Sequence, residues 1–387
     1  APRVQILDIL ILSFIALNLM YIAYPGILDD NTLIGRFLGF RQDAYFLLAY
    51  FVGRGLTISK RQLQWIMIGI IPGSIAVALV AAYQWVFPGS ANALWDRLGF
   101  QAFVDAVGGS SEIAVRTRDI GGISMPRASS LLMGDLALAF YQLLLVPIAA
   151  GMFFTFRSAR GQLLSALFLI LMLGTMALSG ARSAMIVVTL ALGLLTFLSV
   201  SWGKSIAIGT AFLVSGVLGL VILTGGIQTS WFSGLVDPDE GSTVAHASAL
   251  DRSIDLIKEE PLGRGLGTSH TVGYQLGVRE SFANESWYLQ IASETGILGA
   301  FLYSLVILGA TIAPLVAYQQ VRDPWLRALT LGMAGAAVGY MLVGLVLHVW
   351  EAPVIAAAFW LLCGIAVRAP QLEQQWAHEA AGSEPSE

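Results

Sequence analysis

The sequence predicts an all-α polytopic membrane protein, and three observations lead to this fold class. Hydrophobic residues make up 56% of the 387 residues and charged residues only 12%. The mean hydropathy of +0.74 is too high for a soluble protein, which must cover its surface with charged residues. Apolar runs long enough to cross a bilayer core of about 30 Å recur along most of the chain. We therefore expect about 10 transmembrane helices and one large, partly helical loop outside the membrane.

Each predicted span is an apolar run bounded by charged or turn-forming residues. Pro72, Pro147 and Pro353 fall inside such runs and are expected to kink their helices, which membrane helices tolerate. Cys363 is the only cysteine, so the chain has no disulfide framework. The predicted spans are residues 5–24, 38–53, 65–87, 131–156, 162–179, 183–200, 205–224, 291–317, 327–347 and 351–367.

The basic residues of the short loops indicate the orientation. Lysine and arginine occur near residues 54–61, 157–160, 204, 322–327 and 368, which share one side if the helices alternate. The positive-inside rule makes that side cytoplasmic, together with both termini. The predicted domains are transmembrane helices 1–7 within residues 1–224 with an outer loop at 88–130, a large outer loop at 225–290, helices 8–10 within 291–368, and a disordered cytoplasmic tail at 369–387.

The opposite side carries many arginines but only one lysine, Lys258. A guanidinium group offers a planar fork of donors that fits phosphate oxygens, so this composition favours anion recognition over simple charge. The alternative, pairing with loop acids such as Asp119 and Asp255, stays open. Arg182 stands in a turn of a few residues between two spans, where a charge requires a partner or a wet cavity. For Arg182 an anionic substrate is favoured over snorkelling to lipid headgroups.

Residues 246–299 form the only long polar segment. A helical pattern over 246–260 carries Arg252 and ends at Pro261. Glycines at 263, 265 and 267 follow it at a spacing that does not fit a dinucleotide-binding motif, so they predict a sharp turn under a ligand. The sequence contains no P-loop and no cluster of metal ligands, and it predicts no metal, no cofactor and no nucleic-acid partner.

Four stretches, taken in order, resemble the O-antigen ligase and O-antigen polymerase superfamily of bacterial envelope enzymes. They are M-P-R-A-S-S-L-L around Arg127, L-S-G-A-R-S-A around Arg182, D-R-S-I-D-L-I-K-E-E-P-L-G-R-G-L-G with Arg252 and Arg264, and N-E-S-W-Y-L-Q-I-A-S-E-T-G-I-L-G. The resemblance covers residues 120–367 loosely.

The resemblance implies a glycosyltransferase of the bacterial inner membrane. Such an enzyme transfers glycan from undecaprenyl pyrophosphate to an acceptor glycan or glycolipid at the periplasmic face. Arg127, Arg182, Arg252 and Arg264 are then the expected pyrophosphate-binding residues. Two alternatives stay open: a transporter of lipid-linked oligosaccharide and a non-catalytic membrane scaffold.

One position departs from the family's ligase pattern. Ligases of the family usually carry a His-Asn pair ahead of Tyr-Leu, and here the histidine position is Ala283. This difference favours a polymerase over a ligase. We expect Glu285 or His270 to act as the general base in its place, with Glu285 favoured because it begins a helix that continues into a span.

Overall fold

The computed structural model describes residues 4–23, 32–99, 116–120, 123–132, 134–199, 241–269, 272–273 and 286–382. These residues are mostly helical. In chain order the α-helices are α1 (Ile6–Ala23), α2 (Leu33–Asp43), α3 (Leu48–Gly55), α4 (Lys60–Val86), α5 (Pro88–Arg97), α6 (Asp135–Thr155), α7 (Ala159–Leu178), α8 (Arg182–Ser199), α9 (Gly241–Glu259), α10 (Trp287–Gln320), α11 (Pro324–Val343) and α12 (Pro353–Gly382).

Seven helices in this described part are long and apolar enough to cross a membrane: α1, α4, α6, α7, α10, α11 and α12. Helix α8 is apolar but shorter, with its apolar part over Arg182–Leu198. The prediction of a helical, polytopic membrane protein is therefore confirmed. The total of ten stays a prediction, because the expected span at 205–224 lies outside the described residues.

The expected span at 38–53 is not one continuous helix. Helix α2 ends at Asp43, Ala44 leaves helical geometry with φ −135° and ψ −26°, and a 3₁₀ turn at Tyr45–Leu47 precedes α3. Arg41 and Asp43 place charged side chains in the last turn of α2, where a continuous membrane span would require apolar side chains. The segment is thus built from short pieces, each too short to cross a bilayer.

A β-hairpin departs from the all-α prediction. Strands β1 (Arg116–Ile120) and β2 (Ile123–Arg127) pair antiparallel, with Ile120 opposite Ile123 and Arg116 opposite Arg127. The sequence between the strands is Gly-Gly, a pair suited to a two-residue hairpin turn. Short strands within a long polar loop lack the 3.6-residue periodicity by which the helices were predicted.

The C-terminal segment corrects the prediction of a disordered tail from residue 369. Helix α12 continues through Pro370 to Gly382. Leu372 is fully buried, and the Trp376 indole donates a hydrogen bond to the Ile58 carbonyl at 2.8 Å. The Glu373 carboxylate accepts hydrogen bonds from the backbone N–H of Arg322 at 3.0 Å and of Asp323 at 2.5 Å. These tertiary contacts hold a stretch whose polar composition alone favours disorder.

The chain divides into two compact units. The first combines residues 1–56, 234–316 and 340–368. Its core is aromatic: the rings of Tyr340 and Trp350 stack with centroids 4.6 Å apart, and the Trp350 indole donates to the Tyr303 hydroxyl at 2.6 Å. Buried indole and phenol groups are stable in a core when their polar atoms find partners, as this pair does.

The second unit combines residues 57–233, 317–339 and 369–387. Here helices α6 and α11 approach closely through small residues. A Cβ on Gly332 would lie 2.5 Å from the Cα of Ile148, and a Cβ on Gly339 would lie 2.7 Å from the Leu143 side chain. Close helix approach through small residues is a common packing mode in membranes.

This contact predicts the effect of a single methyl group. Gly332→Ala should lower stability by roughly 1–3 kcal/mol, because the added carbon meets backbone that cannot move aside cheaply. Gly174→Ala is the matched control, since a Cβ on that helical glycine meets nothing within 4 Å. Thermal unfolding in detergent measures both variants. Equal melting temperatures for the two would contradict the close approach.

Candidate functional site

Arg127 is anchored between two helix ends of the second unit. It ends strand β2, and its guanidinium group forms an ion pair with Asp135, the first residue of α6. Its Nε donates a hydrogen bond to the Ser179 carbonyl at 3.3 Å. The neighbouring Ala128 N–H donates to the Leu178 carbonyl at 2.9 Å. The hairpin is therefore fixed to the C-terminal end of α7.

The connection between α7 and α8 places Arg182 beside this anchor. Gly180 has φ +66°, the left-handed conformation that glycine adopts without a Cβ clash. A Cβ on Gly180 would lie 3.2 Å from the Arg127 Cγ, so the arginine side chain covers the turn. Arg182, half-buried, then begins α8. Two of the four predicted pyrophosphate-binding arginines thus belong to one corner of the molecule.

This corner has the electrostatics of an anion site. The first turn of α8 leaves backbone N–H groups pointing outward, and it contains no acidic residue to neutralise them. Arg182 adds a full positive charge at the same helix end. Helix N-termini of this kind bind phosphate groups readily. The start of α8 therefore favours an anionic group, while the neighbouring Arg127 is already paired with Asp135.

The glycine turn after α9 belongs to the first unit. Gly263, Gly265 and Gly267 all have positive φ, at +80°, +102° and +74°. A Cβ on Gly263 would lie 2.5 Å from the Gly296 nitrogen of α10, so only glycine allows the approach. The predicted sharp turn is confirmed. The atoms that crowd Gly263 are protein backbone; whether the turn also underlies a ligand stays a prediction.

A buried carboxylate holds this turn. Glu294 of α10 is 1% exposed and accepts hydrogen bonds from the Gly267 N–H at 2.7 Å and the Ser269 N–H at 3.1 Å. The Ser269 hydroxyl donates to the same carboxylate at 2.5 Å. Charge-assisted hydrogen bonds of this kind are about twice as strong as neutral ones. Glu294 therefore fixes the segment that leads from Arg264 towards His270.

A second carboxyl group lies next to Glu294. Asp43, at the end of α2 and outside the seven candidate spans, accepts a hydrogen bond from the Gln290 amide at 3.1 Å. Burial first, and the Glu294 carboxyl second, raise the pKa of Asp43 well above its usual range. The raised pKa favours the neutral form of the Asp43 carboxyl group, beside the three hydrogen bonds that the Glu294 carboxylate accepts.

The arginines of the first unit occupy different surroundings. Arg252 is exposed on α9. Arg264 is 2% exposed, and its Nε lies 2.9 Å from a Glu260 carboxylate oxygen one turn earlier. Arg264 and Arg127 are thus both paired with acids, but with Glu260 and Asp135 rather than with the loop acids considered from the sequence. The Arg127 side chain stays 21% exposed and can still donate to a ligand, whereas the Arg264 side chain is only 3% exposed.

Not every predicted site residue can be placed. His270 and Glu285, the expected bases, lie outside the described residues, as does Ala283. Arg127 and Arg182 belong to one compact unit, and Arg252 and Arg264 belong to the other. The convergence of Arg182 and Arg252 on one pyrophosphate therefore stays a prediction.

Two acids that organise these elements, Asp135 and Glu294, were not predicted as site residues from the sequence. A usable signal was present for Glu294, which is the only charged residue in the apolar stretch L-Q-I-A-S-E-T-G-I-L. An isolated acid beside a span is costly unless it has dedicated donors, so it marks an internal partner or a functional site. The sequence signal for Asp135 is weaker, because an acidic residue is common at the start of a helix even where it has no side-chain partner.

These features define a polytopic helical membrane protein with arginines placed at helix ends and turns. Residues 167–304 match the family model described as O-Antigen ligase. This stretch contains Arg182, Arg252, Arg264 and Glu294, whereas Arg127 precedes it. The resemblance to the O-antigen ligase and polymerase superfamily is thereby confirmed. No curated protein matches the chain.

The role of Glu294 as the anchor of the glycine turn can be tested directly. Glu294→Ala removes the acceptor of three hydrogen bonds, each contributing roughly 1.5–3 kcal/mol when one partner is charged. We expect faster hydrogen–deuterium exchange at the amides of Gly267 and Ser269, and stability lower by about 3 kcal/mol or more. Ser304→Ala is the control, because its hydroxyl donates only to Ala300 within the same helix. Unchanged exchange at both amides would refute the anchoring role.

Proposed function

We propose that this chain is a membrane glycosyltransferase that uses an undecaprenyl pyrophosphate-linked glycan as donor. It polymerises, or ligates, surface polysaccharide at the periplasmic face of the bacterial inner membrane. The observation that carries the proposal is the O-antigen ligase match over the stretch that contains Arg182, Arg252 and the glycine turn. The anion-binding character of the α8 start supports a pyrophosphate-bearing substrate.

The proposed reaction is a displacement at the anomeric carbon of the donor. The acceptor hydroxyl oxygen forms the new glycosidic bond, and the bond from the anomeric carbon to the pyrophosphate oxygen breaks. The pyrophosphate departs with the bonding electrons and gains negative charge. Arginine donors placed around it stabilise that charge without any metal ion.

The acceptor proton must go to a base. Glu285 and His270 are the proposed acceptors of this proton, and Glu285 is favoured. It stands two residues before Trp287, the first residue of α10, whose N–H donates to the Gly344 carbonyl at 3.0 Å. A carboxylate within hydrogen-bond reach of the acceptor hydroxyl would take up its proton as the new bond forms.

The direct test is reconstitution. The purified chain is placed in liposomes with undecaprenyl pyrophosphate-linked glycan and an acceptor, and the products are separated by size. A polymerase yields longer lipid-linked chains, and a ligase yields glycan on a new lipid. Donor that changes leaflet without chemical change indicates the transporter alternative. Donor that neither reacts nor moves favours the scaffold alternative and contradicts the proposal.

Substitution of the arginines tests the pyrophosphate-binding role. Arg182→Lys and Arg252→Lys should each lower turnover roughly 10- to 100-fold, because an ammonium group keeps the charge but not the bidentate fork. Arg61→Lys is the control, since Arg61 is exposed in the first turn of α4 on the predicted cytoplasmic side. Initial rates at saturating donor measure the effect. Wild-type rates in both variants would remove the reason for choosing arginine.

Substitution of the bases tests the proton acceptor. Glu285→Gln keeps the shape of the side chain and removes its charge, and it should lower kcat by roughly 10²–10⁴-fold. His270→Ala should have a smaller effect if Glu285 is the base. Glu259→Gln, an exposed position at the end of α9, serves as the control. If Glu285→Gln and His270→Ala both turn over donor normally, neither residue is the base.

A further inference from the structure

A second group of arginines surrounds a cavity in the second unit. The cavity has a volume of about 1170 Å³ and lies between α4, the α6–α7 connection and the start of α11. This volume exceeds the roughly 300–1,000 Å³ of ordinary small-molecule sites. The arginines that line it are Arg157, Arg160, Arg322 and Arg327. Orientation by loop charge predicts that they face the cytoplasm, opposite to the proposed reaction.

Three of these arginines are available to a ligand. Arg157, Arg160 and Arg322 are exposed, and within the described part of the chain none of them forms a salt bridge. The nearby acids are already engaged. Asp323 forms an ion pair with Lys60 at 2.7 Å, and Glu373 accepts the backbone N–H groups of the α10–α11 loop.

The fourth arginine is held as part of the wall. The Arg327 guanidinium donates to the Val321 carbonyl at 3.0 Å and lies 4.1 Å from the centroid of the Tyr318 ring. Phe156 and Trp325 complete the rim with ring centroids 4.7 Å apart. Aromatic rings beside cationic side chains are typical of the membrane–water interface. The mouth of the cavity therefore has the chemistry of the headgroup region.

The part of the lining that comes from the two membrane-spanning helices is apolar. It consists of Ile68 and Ile71 of α4 and, from α7, of Leu164 and Phe168 beyond the first turn. From Arg160 to Phe168 the helix rises by about 12 Å, which carries the wall from the interface into the hydrocarbon region. The cavity thus combines a cationic mouth with an apolar trough that runs along the membrane-spanning helices.

We propose that this cavity binds an anionic phospholipid, with the headgroup phosphate on Arg157, Arg160 and Arg322 and an acyl chain along α4 and α7. Basic pockets between transmembrane helices on the cytoplasmic side bind anionic headgroups in this way. Arginines that serve orientation alone have no need to converge on one cavity or to adjoin an apolar trough. The site is separate from the proposed glycosyl transfer and does not depend on it.

The proposal predicts selectivity for charge and for the lipid chain. The full chain in detergent is titrated separately with phosphatidylglycerol, phosphatidylcholine and inorganic phosphate, and native mass spectrometry measures the bound fraction. Phosphatidylglycerol should bind most tightly. Arg157→Gln/Arg322→Gln should weaken it about 30-fold, since each arginine near the headgroup contributes roughly a fivefold factor. Raised salt should weaken binding in the wild type more than in this variant.

Matched variants make the result specific. Arg61→Gln/Arg97→Gln removes two exposed arginines that do not line the cavity and should leave affinity within about twofold. Leu164→Trp fills the trough and should weaken binding, whereas Leu167→Trp, similarly exposed on α7 but not lining the cavity, should not. Equal loss in both arginine pairs, or no effect of Leu164→Trp, would overturn the proposal.

The wild-type comparison stands without any variant. Phosphatidylcholine that binds as tightly as phosphatidylglycerol would refute selectivity for an anionic headgroup. Inorganic phosphate that binds equally well would show an anion site without a lipid. Either result overturns the proposal even if a substituted chain fails to fold.

Discussion

The hydrogen bonds to the Glu294 carboxylate are the constraint on which the first unit's part of the site depends. They tie the glycine turn to α10, and the turn in turn connects the helix of Arg252 to the segment of His270. In a chain with so few charges, a buried carboxylate has no solvent to stabilise it and must find donors within the fold. Asp43 lies beside it, and its raised pKa favours the neutral carboxyl form over a second negative charge.

Several features of the fold follow from local sequence. Span length, apolar runs and the sharp turn at the three glycines depend on neighbouring residues alone, so the helices and the turn could be predicted. The features that were missed depend on distant partners. Helix α12 continues past residue 369, where the Trp376 indole donates a hydrogen bond to the Ile58 carbonyl.

The site divides in the same way. Arg182 stood out because two spans meet at it, and the family match includes it. The ion pair between Arg127 and Asp135 links residues that are eight positions apart across a loop. The periodicity of the sequence does not predict such a contact. Arg264 and Glu260, four residues apart, were within reach of a local argument. The composition suggests that arginines bind an anionic ligand. The tertiary structure decides which of these arginines form ion pairs with carboxylates of the protein itself.

The conformation of Gly296 has a mechanical consequence for the start of α10. Its φ of +74° and ψ of −178° divide the helix into a short piece, Trp287–Thr295, and a longer one that alone has the length of a bilayer. The short piece is aimed by contacts at its own start, where Ser286 and Trp287 both donate to the Gly344 carbonyl. The start of α10 is thus held by its own contacts with the Gly344 carbonyl, and its axis need not follow that of the long piece beyond Gly296.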